Sequence, residues 1–164
     1  MKKITLLPST IFIFVNMIIF LNPITLHSKR KPNTTATPSA ATPSAADRVK
    51  VGGLEYEVLI QPNSDAKTPI KSQSVCVHYT GWLNNNGQLG KKFDSSVDRN
   101  EPFNFVLGVG QVIEGWDKMV ALMKVGQKVR VYIPAALAYG TRGHGSIIPK
   151  SADLIFDIEL LKIN

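Results

Sequence analysis

Residues 105–120 read FVLGVGQVIEGWDKMV. Three glycines, Gly108, Gly110 and Gly115, gather around the start of a helix-like run, and two chemistries compete for them. A dinucleotide-binding turn needs Gly-x-Gly-x-x-Gly between a strand and a helix, and a P-loop ends in Lys-Ser/Thr. Here four residues separate Gly110 from Gly115, no Lys-Ser/Thr pair follows, and Gln111-Val112-Ile113 stands where bare backbone should be. The turn presents apolar side chains, so it reads as a wall and not as a phosphate cradle. Ile113, Trp116, Val120 and Met123 then fall at helical spacing, and Gly126 suits the left-handed position that ends a helix.

Outward from this helix the texture is that of strands. In GLEYEVLI, Leu54, Tyr56, Val58 and Ile60 alternate with polar residues, the pattern of a half-buried strand. SVCVHYTGW is β-branched and aromatic up to Gly81. The Asn-Gly in LNNNGQLGKK marks a turn between strands. PFNFVL, QKVRVYI (stopped by Pro134) and ADLIFDIELLKI complete the set, the last placing Leu154, Phe156, Ile158 and Leu160 on one face. One short helix among about five strands predicts an α+β fold, an antiparallel sheet that covers its core with that helix.

The rest of the chain divides by composition. Residues 1–31 carry Lys2 and Lys3, an apolar run from Thr10 to Leu21, and the basic cluster Lys29-Arg30-Lys31. This pattern fits a signal peptide, and Ile4–Leu26 is also long enough to serve as a membrane anchor. Both readings predict export, to a periplasmic or membrane-anchored position facing outside the cytoplasm; cleavage and retention are left open. Residues 32–50 include the direct repeat ATPSA-ATPSA and read as linker. Residues 51–164 form the predicted domain. The net charge of +7 is concentrated before the domain, since residues 1–50 hold +6 and residues 51–164 only +1. No nucleic-acid footprint is expected on such a domain. Cys76 is the one cysteine and His27, His78 and His144 the only histidines, so no zinc framework is visible.

No Gly-x-Ser-x-Gly is present, and Cys76 has no assignable partner. Asp94 and Asp98 supply carboxylates, but nothing marks a sugar site. What stands out is the apolar and aromatic residues beside turns: Tyr79, Phe93, Phe103, Val112, Ile113, Trp116, Tyr139, Ile147 and Ile148. Loops and strand ends are where binding residues collect, and a concave apolar site with a few polar groups follows.

Three stretches, VHYTGWL, KKFDSSVDRNEPFNFVLGVGQVIEGWDKMV and AYGTRGHGSIIPKSADLIFDIELL, occur in order from about Gly53 to the end. Together they resemble the FKBP-type peptidyl-prolyl cis–trans isomerases, which bind tacrolimus and rapamycin. The resemblance implies a five-stranded antiparallel sheet curled around one short helix, with an apolar pocket between. It implies proline-containing polypeptides as substrates, the macrolides as pocket ligands, and no cofactor or metal. By position it implies that the Ile113 N–H binds a substrate carbonyl beside Val112, and that Trp116 floors the pocket. Tyr79, Phe93, Phe103 and Phe156 become the lining, Asp94 the carboxylate at the edge with Arg99 beside it, and Tyr139 a hydroxyl donor. His144, Ile147 and Ile148 become the tip and inner side of the outer loop. Asp94, Tyr139, Ile113 and Trp116 are the residues expected to carry catalysis.

The chemistry suits these residue types. Rotation about a peptide bond faces a barrier of about 18–20 kcal/mol from amide resonance, and no bond between heavy atoms breaks. A dry pocket disfavours the planar, charge-separated amide relative to the twisted one. The alternative is a non-catalytic proline-binding module or chaperone using the same pocket. Three departures from the family pattern are visible: a hairpin about four residues longer between Trp82 and Phe93, Lys150 where a second proline often follows Pro149, and Met119 in place of a glycine.

Overall fold

The computed structural model describes residues 48–164. The predicted signal or anchor, and all but the last residues of the predicted linker, lie outside the described residues. Among the described residues, no helix is long and apolar enough to cross a membrane.

Seven strands and one α-helix follow in the order β1 Val49–Val51, β2 Leu54–Ile60, β3 Ser74–Asn85, β4 Gln88–Ser95, β5 Phe103–Val106, α1 Glu114–Val120, β6 Lys128–Ile133 and β7 Leu154–Ile163. All pairings are antiparallel, in the lateral order β1-β2-β6-β7-β3-β4. β5 pairs Ser74–Val77 of β3 and β4 pairs Thr80–Asn85, so both occupy successive lengths of the same β3 edge. The sheet is therefore five positions wide, as expected, with the three-residue β1 added beyond β2. Val49 and Lys50, read as linker, pair with Tyr56 and Glu55 in that added hairpin.

β3 continues past Gly81 to Asn85, and the Asn-Gly signal is realised there. Asn86 and Gly87 both take positive φ, 51° and 83°, the two-residue turn whose twist matches the strands it joins. The Gly87 N–H donates to Asn84 Oδ1 at 2.6 Å. The longer hairpin has a partner: Arg48 Nη2 donates to Gly87 O at 3.2 Å while its guanidinium lies 3.5 Å over the Tyr132 ring.

The helix is shorter than its apolar spacing predicted. It ends at Val120, and the N–H groups of Leu122 and Met123 bond three residues back, to Met119 and Val120. Tighter winding lets Met123 stay fully buried while Leu122 is half exposed. Gly126 does not cap this helix. With φ +83° it turns the chain into β6, its N–H donating to Leu160 O of β7 at 2.7 Å.

α1 buries Gly115, Trp116, Met119 and Val120 against the sheet. The approach is close at Gly115, where a Cβ would stand 2.5 Å from Ile133 Cγ2. Alternation puts Val129, Val131, Phe156 and Ile158 in this core, and Arg130 and Asp157 on the opposite face.

Candidate active site

A cavity of about 190 Å³ opens between the helix and the β3–β4–β7 half of the sheet. Its walls come from distant parts of the chain. Tyr79 arrives on β3, Phe93 and Asp94 on β4, Phe103 on β5, and Phe156 on β7. Gln111, Val112 and Ile113 come from the turn before α1, Trp116 from α1, and Tyr139 from the loop after β6.

Trp116 organises the aromatic wall. Its ring meets Tyr79 at 5.0 Å and 77°, and Phe156 at 5.3 Å and 87°. Phe93 in turn meets Phe156 at 5.6 Å and 87°. Such edge-to-face pairs are favoured by ring quadrupoles, and they leave the indole only 4% exposed. Gly81 makes room for them: a Cβ there would lie 2.7 Å from both the Phe156 and the Phe93 rings.

At the rim, Asp94 is held from three sides. Tyr79 Oη donates to Oδ2, Arg99 donates to Oδ1, and the Ser95 N–H donates to Oδ1 at 2.8 Å. Arg99 also donates to Tyr79 Oη at 3.2 Å, closing a triangle. Partial burial works against ionisation of Asp94, but the hydrogen bonds from Tyr79 and Arg99, with the Arg99 charge, hold its carboxyl below the usual range. Burial, then the hydrogen bond to Asp94, push the Tyr79 phenol up. Burial and the nearby Asp94 charge also push Tyr139 up, so its hydroxyl remains a donor. Among the described residues, neither that hydroxyl nor the Ile113 N–H has a hydrogen-bond partner.

The glycine turn is settled by its own hydrogen bonds. Gly108 and Gly110 take φ of 75° and 74°. Their N–H groups donate to Asp117, at 2.8 Å to Oδ1 and 3.2 Å to Oδ2. A carboxylate of the chain itself occupies the place an external anion would need.

Nine residues expected at the site line one cavity: Tyr79, Phe93, Asp94, Phe103, Val112, Ile113, Trp116, Tyr139 and Phe156. Three do not line it. Ile148 is 4% exposed and packs in the main core. Ile147, its neighbour, lies in the turn closed by the His144–Ile148 bridge and is 53% exposed. His144 stacks on Tyr139 at 4.8 Å outside the cavity. Sequence reading missed Gln111, which lines the cavity and accepts the Val106 N–H at 2.8 Å. It also missed Asp117. A Gly-x-Gly turn followed by an acid in the first turns of the next helix was the available signal.

Among the described residues, no cluster of three or more His, Cys, Asp or Glu is arranged to hold a metal.

Residues 65–161 match the family described as "FKBP-type peptidyl-prolyl cis-trans isomerase". The chain belongs to the FKBP-type peptidyl-prolyl cis–trans isomerases. Curated relatives agree with this placement. A "FK506-binding protein 1" of Candida glabrata is 49% identical over 113 residues, covering 69% of this chain and 95% of the relative. A "FK506-binding protein" of Neisseria meningitidis is 52% identical over 97 residues, 59% of this chain and 85% of its own. "Peptidyl-prolyl cis-trans isomerase Fkbp12" of Drosophila melanogaster is 48% identical over 106 residues, covering 65% and 94%. Residues 65–161 are thus those of an isomerase of this family.

Proposed function

We propose that this isomerase turns X-Pro bonds of polypeptide substrates without covalent help, by seating the proline ring on Trp116. The observation that carries the reading is the pairing of an aromatic-floored cavity with two unspent donors, the Ile113 N–H and the Tyr139 hydroxyl. Uncatalysed X-Pro isomerisation takes tens to hundreds of seconds. A planar amide is charge-separated by resonance, and a water-poor wall of Tyr79, Phe103, Trp116 and Phe156 stabilises that state poorly. The twisted amide has lost the resonance and with it much of the charge separation. The wall therefore favours the transition state over the ground state. The Ile113 N–H and the Tyr139 hydroxyl hold the flanking backbone in the turned geometry. Asp94, fixed by Tyr79 and Arg99, is a preorganised negative group at the rim, beside the rotating amide.

The same cavity is the seat for tacrolimus- or rapamycin-like macrolides, a reading supported by relatives named for binding FK506. At about 190 Å³ it takes one ring of such a ligand and leaves the remainder on the rim. The N-terminal segment suggests action outside the cytoplasm, on proteins folding in the periplasm or at a membrane surface. Mass analysis of the mature N-terminus tests that: residue Met1 recovered in the soluble cytoplasmic fraction overturns it.

The deciding experiment is a cis–trans assay on a Leu-Pro tetrapeptide with the full chain. Acceleration that a macrolide competes away is expected. Peptide binding without acceleration would favour the binding-module alternative, and neither binding nor acceleration would overturn both.

A further inference from the structure

We propose that Asp117 is a positioning residue for the isomerase site, holding the Gly108–Gly110 turn so that the Ile113 N–H is aimed into the cavity. The inference rests on the function proposed above and adds the device that presents its backbone donor.

The segment from Val106 to Ile113 has to leave a strand, reverse, and enter α1, and among the described residues four of its eight N–H groups are tied. The Val106 N–H donates to Gln111 Oε1, closing a six-residue loop. Leu107 exchanges bonds with the neighbouring turn, its N–H donating to Gln73 O and its carbonyl accepting from Ser72, both at 2.9 Å. The N–H groups of Gly108 and Gly110 go to the two oxygens of Asp117. The N–H groups of Val109, Gln111, Val112 and Ile113 have no partner among the described residues, and Ile113, extended at φ −60° and ψ 149°, is the last of them before α1 and lines the cavity.

The geometry is that of a small nest. Positive φ at alternate residues turns backbone N–H groups to a common side, where they form an anion-binding hollow. Asp117 fills that hollow from α1, the same helix that carries Trp116. One helix therefore sets the floor of the pocket and, through a carboxylate, the turn that offers its donor. Two charge-assisted bonds on a glycine-rich turn remove freedom that glycine would otherwise retain. A donor held in place before substrate arrives binds without the entropy of ordering it. Gly110 shows that packing alone does not hold the turn, because a Cβ there would meet nothing within 4 Å.

The test compares the full chain with Asp117→Ala, Asp117→Asn and Asp117→Glu. Each is assayed with the Leu-Pro tetrapeptide and followed by ¹⁵N spectra of the Gly108, Gly110 and Ile113 amides. Loss of both bonds in the Ala variant should lower kcat/KM about tenfold, with kcat falling as well as KM rising, since the Ile113 N–H holds the substrate backbone in the turned geometry. The Asn variant keeps one acceptor and should fall between, and Glu should recover part of the loss. Peptide should move the Ile113 amide resonance in the wild type and much less in the Ala variant. Should the Ala variant not fold, the Asn variant carries the same comparison. Unchanged kcat/KM and an equal Ile113 response, with only the unfolding midpoint lowered, would reduce Asp117 to a structural tie and overturn the proposal. An inactive wild type would overturn the proposed function and this inference together, whereas an active wild type with an undiminished Ala variant overturns this inference alone.

Discussion

Gly81 on β3 and Phe156 on β7 are register partners, and the Phe156 ring occupies the space a side chain at position 81 would need. The Phe93 ring, from the other flanking strand, fills the same space. The absence of a side chain is what lets both rings line the cavity. Gly81→Ala should therefore push them off their present positions. Overpacking of this kind typically costs about 1–3 kcal/mol, and peptide affinity should fall with it. Urea unfolding and peptide titration measure the two effects, and a variant native in both would show that the rings have room to spare.

Trp116→Leu separates the pocket floor from the fold. Leucine keeps apolar bulk under the core, so the stability loss should stay below the roughly 3–5 kcal/mol typical of truncating a buried Trp to Ala. Tyr79 and Phe156 lose their edge-to-face partner, and substrate loses the flat surface proposed for its ring. A fall in kcat/KM of about tenfold or more, or roughly 1.4 kcal/mol in the barrier, is expected in a folded protein. Full activity in the Leu variant would refute the indole floor.

The Asp94–Tyr79–Arg99 triangle fixes where pH matters. Asp94 titrates lower when folded than unfolded, so its contribution to stability is fully present above the unfolded value near 4 and fades as pH falls through the folded one. Tyr79 titrates higher when folded, so its contribution is complete below about 10 and fades as pH rises through its folded value. Neither group should alter stability between about pH 5 and 9. Removing the cation in Arg99→Met should return the Asp94 carboxyl toward its ordinary range and start the acid-side loss at higher pH. Carboxyl ¹³C titration of both proteins reads this directly, and coincident curves would contradict it.

A contrasting substitution lies on the other face of the sheet. Arg130 grips Asp157 through two bonds, 2.7 and 2.9 Å, and stands 4.0 Å from Glu57, which is only 6% exposed. Arg130→Met leaves Asp157 without its cation, while Glu57 keeps the Tyr132 hydroxyl at 3.0 Å, and should cost about 2–4 kcal/mol, near the range for breaking a buried pair. Since the cavity is on the opposite face, kcat/KM at a temperature where the variant is folded should stay within twofold of wild type. A larger activity loss would show that the outer face is coupled to the pocket.

Strand residues were legible because their signal is local. Alternation in residues 54–60, 128–133 and 154–163 and the Asn86-Gly87 turn each need only their immediate neighbours. The helix was overread past Val120, because Met123 and Val125 are apolar for packing reasons while the backbone has already changed its winding. Ile147 and Ile148 look alike in sequence, yet the turn closed by the His144–Ile148 bridge leaves one in solvent and sends the other to the core. Gln111 and Asp117 were missed because their importance lies in bonds to backbone groups five to nine residues earlier, which composition does not reveal.

By itself the chain determined its inventory: antiparallel strands, one short helix, and a stock of aromatic side chains beside turns. Pattern and turn chemistry act over a few residues, so they survive being read in one dimension. The tertiary structure alone decided that Tyr79, Trp116 and Phe156 face one another, that Asp94 is shared by Tyr79 and Arg99, and that the glycine turn is closed by Asp117. Tyr79 and Phe156 are brought together by the pairing of β3 with β7. Contacts of that kind are set by strand register and by the seat of a helix on a sheet, and neither exists until the chain has folded.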